Sequence, residues 1–130
     1  MRKPPSNPTA LRPQGLTIKL PKPTLIIDSM EQKPYSFRAF RKWFAAIERR
    51  KLPAGDYSIG GLEDRMAVER KSLQDLFNCC SPYGSREAFV QAGKRLSKLD
   101  FAALVIEGSM TKILRSNEFS GMHPNAVFVC

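Results

Sequence analysis

Histidine appears once in these 130 residues, as His123, and cysteine three times, as Cys79, Cys80 and Cys130. No Cys-x-x-Cys pair exists, which argues against a zinc site. A single histidine close to the end argues equally against Ser-His or Cys-His catalysis. His123 reads instead as a turn residue before Pro124. Neighbouring cysteines rarely bridge each other, because a disulfide needs suitably placed Cβ vectors. An odd cysteine count without a secretion signal points to a reducing cytoplasm. The basic N-terminus is followed by no apolar signal core, and no apolar run is long enough to span a bilayer, so no membrane partner is expected. Acidic residues are few: 12 against 21 basic ones leave a net charge of +9. A field of that sign favours phosphate-bearing partners, although basic ribosome-associated and membrane-surface proteins share it.

What is present is enough chain for one domain, with 42% hydrophobic residues to build a core. Residues 1–23 carry recurrent prolines, and Arg2, Lys3, Arg12, Lys19 and Lys22 face no acid. They read as a disordered basic arm, either a solvated leader or a phosphate-tracking tail. Deleting residues 1–23 separates the two: a tail flattens the dependence of nucleic-acid affinity on salt, and a leader leaves the slope unchanged. The domain proper is assigned to 24–130.

"TLIID", Thr24 to Asp28, reads as a buried strand with a carboxylate at its end. Pro34 breaks the following segment. Phe37, Phe40, Phe44 and Ile47 recur at helical spacing, with Arg38, Arg41 and Lys42 on the other side and Trp43 off the stripe. This predicts a short amphipathic helix from Phe37 to Ile47, with "IERRKL" leading from it as a strand. "DYSIG" and "RMAVERK" read as a hairpin turning at "GLED". Ser72 then caps a helix whose apolar face is Leu73, Leu76, Phe77 and Cys80, with Asp75 at the capping-box position. A second helix is expected from Arg86 to Leu99, on a stripe of Phe89, Gly93, Leu96 and Leu99. "FAALVIEG" is expected to be a central strand covered on both faces, and "SMTKILRS" a short helix. Pro124 stands where a final helix would begin. The closing Val127, Phe128, Val129 and Cys130 are expected to mark either a domain truncated at its C-terminus or a short last element docked on the sheet.

Asp56, Glu69 and Lys71 sit among apolar residues of the hairpin, where unpaired charge is costly. Alternate residues of a strand share a face, so Glu69 and Lys71 point one way and Arg70 the other. Hairpin pairing brings Asp56 towards Glu69, and Asp28 approaches if its strand is a neighbour. Carboxylates gathered in one cleft repel, and protons or a cation must relieve them. A hard divalent ion such as magnesium does so with oxygen ligands. Such an ion makes a nucleophile of a bound water and polarises a phosphoryl oxygen, and a lysine beside it counters developing charge. An acid, a spacer, then Glu-x-Lys on a strand is thus a minimal set for phosphodiester hydrolysis; the bland alternative is a surface salt bridge.

These residues carry a resemblance. "GDYSI" followed by "VERKSLQDLF" resembles the XPF nuclease family, whose signature is Gly-Asp, a variable gap, then Glu-Arg-Lys and an Asp four residues after the Lys. Gly55, Asp56, Glu69, Arg70, Lys71 and Asp75 match it. "LIIDSMEQKPYSF" is similar to that family's first strand, with Asp28 and Glu31 in place and Met30 where the pattern has arginine; "ALVIEG" is similar to its next core strand. The resemblance implies a restriction-endonuclease-like α/β fold, a central mixed sheet flanked by helices. It implies magnesium- or manganese-dependent cleavage of branched or flapped DNA. Asp56 and Glu69 would hold the metal with Asp28 in support, and Lys71 would be the catalytic lysine. Glu31, Arg70 and Asp75 would be supporting residues. Arg38, Arg41, Lys42 and Lys94 are the candidate DNA contacts. The look is that of a small stand-alone bacterial or phage nuclease in the cytoplasm, with a homodimer left open. The alternative is a non-catalytic DNA-binding or assembly subunit that keeps the fold, although such partners commonly lose the acids or the lysine.

Overall fold

The β-branched run at Thr24–Asp28 forms strand β1 of the computed structural model, which describes residues 19–115. Leu25 to Asp28 are all buried, as a strand covered on both faces must be. β2 (Ala46–Arg50) lies parallel to β1 on one side, and β3 (Tyr57–Ile59) antiparallel on the other. β4 (Met66–Ser72) pairs antiparallel with β3, and β5 (Phe101–Glu107) parallel with β4. The result is a five-stranded mixed sheet in the order β2-β1-β3-β4-β5. Helices α1 (Leu73–Cys80), α2 (Arg86–Leu96) and α3 (Met110–Leu114) flank it. No helix among the described residues is long and apolar enough to cross a membrane.

Two apolar clusters hold the layers together. Leu25, Ile27 and Tyr57 pack with Phe37, Phe44, Ile47 and Val68. Leu76, Cys80 and Ile113 pack with Leu73 and Ile106, which seats α1 and α3 on the β5 side. The turn from β4 into α1 is abrupt because Ser72 Oγ accepts the Asp75 N–H at 3.1 Å, leaving the strand at the residue that caps the helix.

Three local expectations change. The helix from Phe37 to Ile47 is a six-residue 3₁₀ helix, Arg38–Trp43, and Ile47 belongs to β2. Pairing with the buried β1 outweighs helical propensity for Ala46 to Arg50, as tertiary context commonly does. The Ala45 N–H starts that pairing by donating to the Pro23 carbonyl at 2.9 Å. β5 lies at the edge of the sheet among the described residues, not at its centre, and Phe101, Leu104 and Val105 are exposed. An unbroken apolar run states that a strand is apolar, not which neighbour covers it. α2 ends at Leu96 rather than Leu99, and its stripe buries no residue completely. Lys19 to Pro23, the described part of the basic arm, are exposed. The rest of the arm, His123, Pro124 and the apolar end segment lie outside the described residues.

Candidate active site

β1, β4 and β5 all run in one direction, so their carboxyl ends meet at one end of the sheet. Asp28 closes β1, Glu69 to Lys71 lie near the end of β4, and Glu107 closes β5. Asp56 enters at the same end, immediately before the antiparallel β3. Ligand sites of open α/β sheets form outside the carboxyl ends of their strands.

Gly55 makes the entry of Asp56 possible. Its φ is +73°, and a Cβ there would lie 2.8 Å from Ala67 Cβ and 3.0 Å from the Val68 carbonyl oxygen. Only glycine fits such a left-handed approach against a strand. The Asp56 N–H then donates to the Val68 carbonyl at 2.9 Å, and the Asp28 N–H to the Asp56 carbonyl at 2.8 Å, so β1, β3 and β4 are tied at the site. Gly55→Ala combines left-handed strain with overlap and is expected to cost roughly 2–5 kcal/mol. A urea unfolding midpoint within error of wild type would contradict this.

Asp56 Oδ2 accepts the Arg70 N–H at 2.7 Å. Burial pushes the Asp56 pKa up; that hydrogen bond opposes the shift, and the charges of Glu31 and Asp28 add to it against Lys71. The Glu69 pKa also goes up, first by burial and then by the charge of Asp56, with Lys71 and Arg95 pulling it down. Lys71 Nζ lies 3.7 Å from Glu69 Oε1, and 5.8 Å from the Phe89 ring, which brings α2 over this face.

Asp28 is employed differently. It is 6% exposed; Oδ1 accepts the Leu52 N–H at 2.8 Å and Oδ2 the Met30 N–H at 3.1 Å. Lys51 Nζ is 3.9 Å from Oδ1. Asp28 thus pins the turns that follow β1 and β2 while adding negative charge beside Asp56. Among the described residues, no three His, Cys, Asp or Glu side chains gather as a metal-binding group. Magnesium does not require three: one or two carboxylates commonly suffice, with waters and substrate phosphates completing the shell. Asp56 and Glu69, both pushed towards protonation, are a donor pair that a divalent cation relieves. The residues fit such an ion.

Arg70 shows its backbone to Asp56 and its side chain to the other face of β4. Nε donates to Glu107 Oε1 at 2.5 Å, Nη1 donates to the Lys33 carbonyl, and the guanidinium carbon lies 4.1 Å from the centre of the Tyr35 ring. Glu31 Oε1 is 4.0 Å from Nη1 and accepts the Lys33 N–H at 2.9 Å. The Arg70 bond holds the Glu107 carboxyl below its ordinary pKa. One arginine therefore fastens the Glu31–Tyr35 loop to β5 and presents the amide that orients Asp56. Arg70, Asp56, Glu31, Asp75 and Glu107 line an open cleft of about 490 Å³.

Glu107, Tyr35 and Arg95 were not singled out from sequence. Glu107 carried the same signal as Asp28, an acid closing an apolar strand. Arg95, one residue beyond the selected Lys94, is the α2 cation whose charge reaches Glu69; Lys94 is exposed. Arg38, Arg41 and Lys42 are exposed on the 3₁₀ helix. That helix leads into the start of β2, at the sheet end opposite the acids.

An acid–lysine centre at the carboxyl ends of a mixed α/β sheet defines the class of domain. A model of the ERCC4 domain matches residues 27–128, and the chain belongs to that family, the XPF-type nuclease domains. The five-stranded sheet with its flanking helices is the restriction-endonuclease-like fold. Membership makes the chain a nuclease-family, DNA-binding domain. No curated protein and no solved structure matches it.

Proposed function

We propose that the domain is a divalent-metal-dependent endonuclease that hydrolyses phosphodiester bonds in branched or flapped DNA. The observation that carries the reading is the convergence of Asp56, Glu69 and Lys71 at one sheet end, with both acids raised in pKa by burial and the lysine 3.7 Å from Glu69. Asp56 and Glu69 would hold magnesium or manganese. When bound, the ion supplies charge against the phosphoryl oxygens and lowers the pKa of a water. Lys71 orients the attacking water and counters charge developing on the phosphorus oxygens. Asp28 keeps the two turns in place through its amide bonds, and Arg70 aims Asp56 through its own amide. The net charge of +9 supports a phosphate-rich substrate.

The non-catalytic alternative has less support, because the chain keeps Asp56, Glu69 and Lys71 together. A magnesium-dependent nicking assay on flap, fork and linear DNA decides between the two. Cleavage of the branched forms that disappears in Asp56→Ala supports the enzyme; equal cleavage by wild type and variant rules it out.

A further inference from the structure

The four residues of the apolar stripe do not share one fate. Phe37 and Phe44 turn into the core beside Tyr57, with Phe37 lying 5.6 Å from the Tyr57 ring centre, and Ile47 enters β2 beside them. Phe40 stays outside, 38% exposed. It meets half-buried Trp43 edge to face at 5.5 Å, as residues three apart do in a 3₁₀ helix, where they eclipse. Arg38, Arg41 and Lys42 are interleaved with this pair along the helix and exposed, and the helix buries none of its residues. Among the described residues no ion pair engages these three cations. Arg41 Nη1 donates only to the Phe44 carbonyl, at 3.2 Å. The Trp43 Nε1–H is buried and, among the described residues, has no acceptor.

We propose that the 3₁₀ helix Arg38–Trp43 is a binding platform for an unpaired DNA strand, with Phe40 and Trp43 stacking against bases and Arg38 and Lys42 tracking the phosphates. The inference rests on the DNA-binding reading above but not on catalysis. The exposed Phe40 ring and the half-buried Trp43 ring, interleaved with cations outside any described ion pair, suit a single strand, whose bases are free to stack; bases in a duplex are already stacked on one another. Position adds to this. The helix starts beside Phe37, which packs on Tyr57 next to the acid end, and leads into the start of β2 opposite Thr24, about 13 Å of strand from Asp28, so an arm held along it runs away from the cleavage centre. A substrate that joins duplex to single strand reaches both.

Trp43 is the single tryptophan of the chain, so its emission reports the platform directly. The test titrates the metal-free 130-residue chain with a short oligothymidylate, with a blunt duplex of equal length, and with phosphatidylserine vesicles. The proposal expects saturable quenching by the oligothymidylate and much less by the other two. Phe40→Ala should weaken oligothymidylate binding roughly 5- to 100-fold. Arg38→Ala with Lys42→Ala should reduce the slope of log affinity against log salt by about 1.4. Both changes are at exposed positions, and an unchanged melting temperature shows that the fold is kept. Absence of quenching, equal or stronger quenching by duplex or vesicles, or undiminished affinity in Phe40→Ala overturns the proposal. Binding is read without metal, so the outcomes separate. A protein that nicks DNA but shows no quenching overturns this inference alone; one that quenches but never nicks overturns the nuclease reading alone.

Discussion

Lys71→Ala is expected to slow magnesium-dependent nicking by roughly 10²- to 10⁴-fold while DNA affinity stays close to wild type. The lysine ammonium sits 3.7 Å from Glu69, mostly shielded, with the centre of the Phe89 ring 5.8 Å away. A charge held there in advance acts on the reacting phosphate without reorganising solvent during the reaction. It is one cation in a domain of net charge +9, so its contribution to overall DNA attraction is small. Lys71→Arg should recover little, because a planar guanidinium fork does not occupy the position of a compact ammonium. Single-turnover nicking, with binding measured separately by anisotropy, checks both halves. Cleavage that persists near the wild-type rate would remove Lys71 from the mechanism.

Asp56→Asn is expected to raise the melting temperature of the metal-free protein near pH 8 and to abolish stabilisation by magnesium or manganese. Burial raises the pKa of Asp56, and burial with the charge of Asp56 raises that of Glu69. An acid with a folded-state pKa above its unfolded value holds its proton longer in the folded state. Its contribution to stability is complete below the unfolded pKa and is lost as pH rises through the folded one. The gap between Asp56→Asn and wild type should therefore open as pH climbs from the ordinary values of 3.8 and 4.5 through the raised ones. Glu107 works the other way: its pKa is lowered by Arg70, so its contribution is present at higher pH and lost on acidification. The variant-minus-wild-type difference cancels that background. A cation that binds only the folded state, at about 100 times its dissociation constant, adds about 2.7 kcal/mol, or roughly 10 °C for a domain of this size. Calorimetry with and without metal reads both effects. An equal metal-induced shift in the two proteins would place the ion elsewhere.

Most of the sheet was legible because its signals are local. Alternation in "RMAVERK", the turn chemistry of "GLED", the buried run "TLIID" and the Ser72 cap each follow from neighbours a few residues away. The segment after Phe37 differs from its pattern because Phe37, Phe40, Phe44 and Ile47 have α-helical spacing, whereas Phe37, Phe40 and Trp43 recur every three residues and equally suit the 3₁₀ helix that forms. The preference of Ile47 was then decided by β1, which is distant in sequence. The apolar run of β5 marked a strand but not its place at the sheet edge. Arg70 shows the same division at one residue: alternation set it opposite Glu69 and Lys71, but its partners Glu107, Lys33 and Tyr35 come from other elements.

The sequence by itself determined the chemistry on offer: an acid followed by Glu-x-Lys on a hairpin, a glycine before that acid, and excess positive charge to draw in phosphate. Residue type and strand period are properties of the chain alone. Only the tertiary structure decided how these groups are used: Asp28 bonded to two backbone amides, Asp56 and Glu69 sharing a buried and repulsive space, Phe40 left outside when Phe37 went in. Burial, electrostatic coupling and exposure depend on which strands become neighbours, and that is settled by packing between segments far apart in the chain.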